Sequence, residues 1–221
     1  MYQDRHHAGR VLAERLATLA GEDALVVGLG PGGLPVAEEV ARALGAPLEV
    51  MVVRKLGDLD RPEPALGALA EGGFRFVDEE RRSQLEVSDI VLGAVTLEAA
   101  REIERDVFVY RRGRPTLPVE GHTVILVDDG LASGLSARAA IGALRARGAG
   151  RIVLAVAVAP PAALAEIAPI ADEVVCPEAP SWFFAVGQFY EDFEPVTDAE
   201  VVRLLEVAAI RKGPVTTRRS E

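Results

Sequence analysis

Val124-Ile125-Leu126-Val127-Asp128-Asp129-Gly130-Leu131-Ala132-Ser133-Gly134-Leu135-Ser136 is the stretch whose reading decides the fold. Its four leading apolar residues predict a strand buried on both faces, as in parallel sheets covered by helices. Two adjacent carboxylates follow at the C-terminal end of that strand, where open α/β sheets bind ligands. A loop with two glycines and two serines then leads to Ala137, Ala140, Ile141 and Leu144, the apolar face of a helix that Gly148 closes. The amides of such a loop and of the first helical turn form an anion site, favoured by the helix dipole. Gly130 and Gly134 allow close backbone approach, and Ser133 and Ser136 add hydroxyl donors. Asp128 and Asp129 are acceptors suited to paired hydroxyl groups or to Mg2+. A ligand with a phosphate at one end and a cis-diol nearby is a ribose phosphate. Asp-Asp-Gly alone is also a common turn, and serine a common helix cap, so the combination carries the reading.

Outward from this segment the chain alternates strand and helix. Leu12, Leu16 and Leu19 predict a helix ending near Gly21, and Ala24 to Val27 a strand running into Gly28-Leu29-Gly30-Pro31-Gly32-Gly33. Val36, Val40, Ala43 and Leu44 mark a helix that stops at Gly45; Leu48 to Val53 and Ile152 to Ala159 read as further buried strands. The fold class expected is α/β, a doubly wound parallel sheet in one domain spanning residues 1–221. Residues 56–120 break the rhythm: Gly57, Pro62, Pro64, Gly67, Gly72 and Gly73 punctuate turns, Phe74 to Val77 reads as a short strand, and 97–112 as a polar helix. They are expected to form an insertion or mobile flap, with a second, hood-like segment over about 177–196. Thr197-Asp198-Ala199-Glu200 is a capping box opening a last helix with Val201, Leu204, Leu205 and Ala208 on one face. Gly213-Pro214 is expected to end it, and the final residues to fray.

Composition narrows the function. With 24 basic against 34 acidic residues the net charge of the 221 residues is −10, which argues against coating a nucleic acid, though not against a local phosphate site. Hydrophobic residues make up 49% of the chain, enough for a substantial core. The single cysteine, Cys176, excludes an internal disulfide, and it reads as packing rather than a nucleophile. The longest apolar run, Ile152 to Ala159, falls short of the roughly 18 residues of a membrane span, and Met1 to Arg5 has no apolar signal core behind it. A cytoplasmic protein, bound to neither membrane nor nucleic acid, is the expectation.

Asp128-Asp129-Gly130-Leu131-Ala132-Ser133-Gly134-Leu135-Ser136 resembles the phosphoribosyl pyrophosphate signature of type I phosphoribosyltransferases, usually Asp-Asp-x-x-Ala-Thr-Gly-x-Thr. Ser133 and Ser136 replace threonines and keep the hydroxyls. The resemblance implies the fold of that family and transfer of ribose 5-phosphate from phosphoribosyl pyrophosphate, with Mg2+, to a nitrogen nucleophile such as a nucleobase. In that reading Asp128 and Asp129 take the ribose hydroxyls and hold the metal, and Leu131 to Ser136 wrap the ribose phosphate. Ala132 stands where 6-oxopurine enzymes carry an aspartate base, which speaks against hypoxanthine or guanine as acceptor. Pro31, Gly32 and Gly33 fall in the family's pyrophosphate loop, although Gly30-Pro31 replaces the Pro-Arg of a related bacterial group. Arg54 and Lys55 fall where a cation faces the diphosphate. Phe184 to Glu191 resembles a segment in which an aromatic stacks on the base and an acid binds Mg2+; Phe184 and Glu191 take those places. Family analogy also suggests a homodimer. In this reading Asp129→Asn weakens ligand binding and leaves the fold near wild type.

Two other functions remain open. The missing arginine motivates a non-catalytic regulatory protein that binds phosphoribosyl pyrophosphate or a nucleotide. Gly28-x-Gly30-x-x-Gly33 also matches a dinucleotide fingerprint, and Arg54 could serve an NADP-binding oxidoreductase, but Pro31 removes one loop amide. His6 and His7 read as solvated. Arg111, Arg112 and Arg114 are either a helix C-terminus or a flap over diphosphate, and one of Trp182, Phe183 and Phe184 is expected to line a pocket.

Overall fold

The computed structural model describes residues 1–57 and 64–212. Pro62, Gly213-Pro214 and the tail therefore lie outside the described residues. Eight strands and seven α-helices follow in chain order: α1 (Arg5–Arg15), β1 (Ala24–Leu29), α2 (Gly30–Leu44), β2 (Leu48–Met51), β3 (Val53–Leu56), β4 (Gly67–Ala70), β5 (Arg75–Val77), α3 (Glu79–Gln84), α4 (Asp89–Arg111), β6 (Thr123–Asp128), α5 (Leu135–Ala146), β7 (Arg151–Val156), α6 (Pro161–Ile167), β8 (Glu173–Val175) and α7 (Asp198–Lys212).

The main sheet is parallel throughout, in the order β2-β1-β6-β7-β8. Continuous apolar strands are explained by its two covered faces. Ile125 and Val127 enter one core with α1, α2 and α7, whereas Val124 and Leu126 enter the other with α5 and α6. From β1 the chain winds one way to β2, while β6 leads the other way to β7 and β8. The adjacent C-terminal ends of β1 and β6 are thus a topological switch point, the usual place for a ligand in such sheets.

Four boundaries differ from the sequence reading. The α-helical part of the first helix stops at Arg15, and a 3-10 turn, Ala17–Leu19, completes the stretch. Gly28 to Gly33 is not an extended loop: β1 runs through Leu29 and α2 starts at Gly30, whose φ of +61° makes the turn between them. Leu48 to Val53 is not one strand, because the chain leaves the main sheet at Val52 and β3 pairs antiparallel with β4 in a second sheet, β3-β4-β5. The polar helix begins at Asp89, not 97, where Ser88 Oγ accepts from Val91 N–H at 3.3 Å. Within 56–120, β4 and β5 pack on α5, whereas α4 lies against β3 and α7. All of β4 is buried, and the Arg138 guanidinium sits 4.4 Å over the Phe76 ring. Thr197 Oγ1 accepts from Glu200 N–H at 3.2 Å, as its box predicts. No described helix is long and apolar enough to cross a membrane.

Candidate functional site

A cavity of about 150 Å³ opens beyond the C-terminal end of β6. Its walls bring together Lys55, Asp128 and every residue from Gly130 to Ser136, with Ala137 and Val186. Strand β6 ends at Asp128, and Gly134, in the left-handed region at φ +72°, turns the chain into α5. Ser136 is therefore in the first helical turn rather than in the loop. Among the described residues, the hydroxyls of Ser133 and Ser136 have no hydrogen-bond partner, and no side chain caps α5. The first turn of α5 has no side-chain cap, and Leu135, Ser136 and Ala137 line the cavity together with Lys55, a setting that suits an anion. Two parts of the segment do other work. The Leu131 N–H is spent on Val158 O at 2.9 Å, so it is no ligand donor. Gly130 is small because a Cβ there would stand 2.7 Å from Val186 Cγ1 and 2.9 Å from Val158 O.

The two acids lie side by side but have different further partners. Asp128 lines the cavity; burial, and then the neighbouring charge of Asp129, hold its pKa well above the usual carboxylate range. Its Oδ1 accepts from the Asp129 N–H at 2.9 Å. Asp129 is buried, and its Oδ2 accepts from Arg5 Nε at 2.8 Å. Burial raises its pKa as well, against the opposing pull of the Arg5 charge. Gly32 makes room for this carboxylate, since a Cβ would come within 2.7 Å of Oδ2. A Cβ on Gly33 would come within 2.6 Å of Val127 O and 3.1 Å of Asp128 Cα. These glycines let α2 lie against the end of β6, and neither they nor Pro31 line the cavity. The expected retention of the wild-type fold in Asp129→Asn is not what a buried ion pair implies.

Other expected residues sit elsewhere. Arg54 turns to α4, binding Glu102 at 2.8 Å and pairing with Asp106, because neighbours on a strand face opposite ways and Lys55 takes the cavity side. It stands on β3, outside the main sheet, and so cannot serve the NADP reading. Phe184 is 89% exposed and Trp182 is solvent-facing, while Phe183 stacks on Phe189 at 5.5 Å. None of the three lines the cavity; Val186 does. Glu191 is exposed and joins the structure through its N–H to Tyr2 O at 2.9 Å. Arg111 is buried in a fork to Glu71 at 2.7 and 2.9 Å, Arg112 pairs with Glu206, and Arg114 binds carbonyls of Arg111 and Leu205. All three serve the packing of α4, not the cavity. His6 Nδ1 lies 3.1 Å from Glu39 Oε1, so it is not simply solvated. Half-buried Cys176 donates to Glu178 O, and burial pushes its thiol up to about 11.

Sequence reasoning missed Arg5, Tyr190 and Val186. Tyr190 OH donates to Asp129 O at 2.6 Å, and its N-terminal neighbour Phe189 accepts from Tyr2 N–H at 2.8 Å. The two ends of this region are thus laced together around the acidic motif.

Comparison with known proteins agrees with this geometry. A family model described as phosphoribosyl transferase domain matches residues 2–194. Proteins from two strains of Mycobacterium tuberculosis, provisionally named phosphoribosyl transferases, are 45% identical over 208 residues, 94% of this chain. The match takes in 47% of those proteins, so the chain spans about half the length of the curated relatives it matches. The crystal structure of TT1426 from Thermus thermophilus superposes with a TM-score of 0.79 at 41% identity, covering 94% of this chain and 99% of that one.

Proposed function

Because the chain belongs to the phosphoribosyl transferase domain family, we propose that it transfers ribose 5-phosphate from phosphoribosyl pyrophosphate to a nitrogen nucleophile and releases diphosphate. The observation that carries this reading is the cavity beyond β6. The uncapped first turn of α5 and the hydroxyls of Ser133 and Ser136 suit the 5-phosphate, and Asp128 suits the ribose hydroxyls at the same wall. Lys55 offers positive charge to the departing diphosphate. As the C1–O bond to diphosphate breaks, the ribose becomes cationic, and the Asp128 carboxylate is the group that favours this charge.

Mg2+ fits the donor set. A buried carboxylic acid beside a second acid is short of positive charge, and Mg2+ is commonly held by one or two carboxylates plus substrate phosphates. Asp128 would hold it, and the ion would supply charge neutralisation to the diphosphate. Glu191, exposed and off the cavity, does not belong to that set. The acceptor is a nucleobase or related heterocycle, with Ala132 leaving no aspartate base in the loop.

Calorimetric titration with phosphoribosyl pyrophosphate and Mg2+, followed by assay of diphosphate release over a panel of nitrogen heterocycles, tests the proposal. Binding with release for one acceptor supports it, and absence of binding overturns it. Binding without release for any acceptor would favour the regulatory reading instead.

A further inference from the structure

Helix α4, 23 residues long, turns Leu92, Val95, Ala99 and Ile103 inward. Its opposite face is not the polar surface that an amphipathic helix usually leaves to solvent. Ile90 is 85% exposed, Leu97 55% and Phe108 77%. With Ala94, Arg101 and Glu104, also exposed, they recur at alternating steps of four and three residues. That spacing makes one continuous stripe, about 27 Å long at 1.5 Å per residue, of the kind by which one helix packs on another. The charges of the helix divide in the same way. Asp89, Glu102, Arg105, Asp106 and Arg111 are each paired with a charge elsewhere in the chain. The side chains of Glu98, Arg101 and Glu104 have no ionic or hydrogen-bond partner among the described residues. Arg101 and Glu104 belong to the stripe, and Glu98 stands at its margin.

We propose that this stripe is an interface for a second copy of the chain, the two α4 helices packing antiparallel about a twofold axis level with Ala99. In that arrangement the stripe complements itself. Positions equally far to either side of Ala99 face each other, so Ile90 meets the partner's Phe108. Leu97 lies against the aliphatic stem of the partner's Arg101, and Ala94 leaves room for the partner's Glu104. Glu98 comes nearly level with the partner's Arg101 on the same side of the seam, and the symmetry forms that ion pair twice. A parallel pairing would instead set Arg101 beside the partner's Arg101 and Glu104 beside the partner's Glu104, an arrangement that like charges oppose. One helix pair covers less than the roughly 800 Å² per partner of a standard stable interface, so the dimer dissociates on dilution. This assignment does not rest on the phosphoribosyl transfer reading.

Sedimentation equilibrium of the full chain over a broad concentration series tests it. The expected result is a mass that rises from that of one chain to that of two. Leu97→Lys, which replaces an apolar contact by a cation beside the partner's Arg101, is expected to raise the dissociation constant at least about 10-fold. Its thermal unfolding in dilute solution should match wild type, because Leu97 is exposed in the single chain, and Phe108→Ser takes its place if it does not fold. Arg101→Glu should weaken the dimer by about 10-fold, and adding Glu98→Arg to the same chain should restore most of that loss. Trp182→Ser removes a comparably exposed aromatic outside the stripe and should leave the dimer unchanged. The mass of one chain at every concentration overturns the proposal, as does a dimer that Leu97→Lys leaves intact or that Trp182→Ser abolishes. Failure of the charge exchange to rescue Arg101→Glu overturns the antiparallel register.

Discussion

Replacing each acid of the pair by its isosteric amide should move stability in opposite directions. In Asp128→Asn the amide oxygen can still accept the Asp129 N–H, now 2.9 Å from Oδ1, while the buried charge beside a second acid disappears. Because burial and Asp129 raise the Asp128 pKa, the native protein holds a proton to higher pH than the unfolded chain does. Its stability therefore falls as pH rises from the ordinary carboxylate range to the raised native value. Removing the group removes that loss, a gain at neutral pH of about 0.5–2 kcal/mol, typical of relieving a functional site. In Asp129→Asn the Arg5 guanidinium, which cannot shed its proton, loses its counter-ion inside the protein. That should cost about 1–3 kcal/mol and outweigh the relief of the carboxylate's own burial. At roughly 2–4 °C per kcal/mol for a chain of this size, scanning calorimetry at neutral pH resolves both. Asp128→Asn should melt higher and Asp129→Asn lower than wild type. The Asp128→Asn advantage should shrink as the buffer is acidified through the carboxylate range, since Asp128 is then protonated in the unfolded wild-type chain as well as in the native one. A lower melting point for Asp128→Asn, or an advantage indifferent to pH, would refute the reasoning.

Gly33→Ala drives a methyl group to 2.6 Å from Val127 O, a backbone atom of the central strand, and should lose about 1–3 kcal/mol by denaturant unfolding. Gly93→Ala, on the open face of α4 with nothing within 4 Å, should gain about 0.5–1 kcal/mol; equal effects at the two glycines would sink the close-approach argument. Ser136→Ala should leave unfolding unchanged within about 0.5 kcal/mol and weaken phosphoribosyl pyrophosphate by about 0.5–2 kcal/mol, measured by titration. Cys176 should react slowly with iodoacetamide at neutral pH, its rate climbing toward a midpoint of about 11, and a midpoint at or below 9.0 would contradict its burial.

The fold was legible where one signal governs a whole element. Unbroken apolar strands with helices between them imply a parallel sheet covered on both faces, and Gly45 and Gly148, both at positive φ, punctuate helix ends as expected. Legibility failed where two structures share one pattern. Leu48 to Val53 is apolar but for the buried Glu49 because β2 and the start of β3 are both buried, so nothing local marks the change of sheet at Val52. The start of α4 was obscured for a related reason. Leu92, Val95, Ala99 and Ile103 form its buried face, but Ile90, Leu97 and Phe108 on the solvent side are apolar too and blur the helical period.

At the site, the cradle was readable because strand, acid, glycine turn and helix are consecutive, whereas partners set by tertiary packing were not. Arg5 and Asp129 are 124 residues apart, and no local pattern links a polar lead-in residue to a motif acid. Yet one elementary rule already constrained the site. Side chains alternate along a strand, so the neighbours Arg54 and Lys55 on β3 could not both face one diphosphate. The structure obeys it: Lys55 lines the cavity, while Arg54 turns to its ion pairs on α4. No such local rule supplies the partner of Asp129, which comes from the first turn of α1.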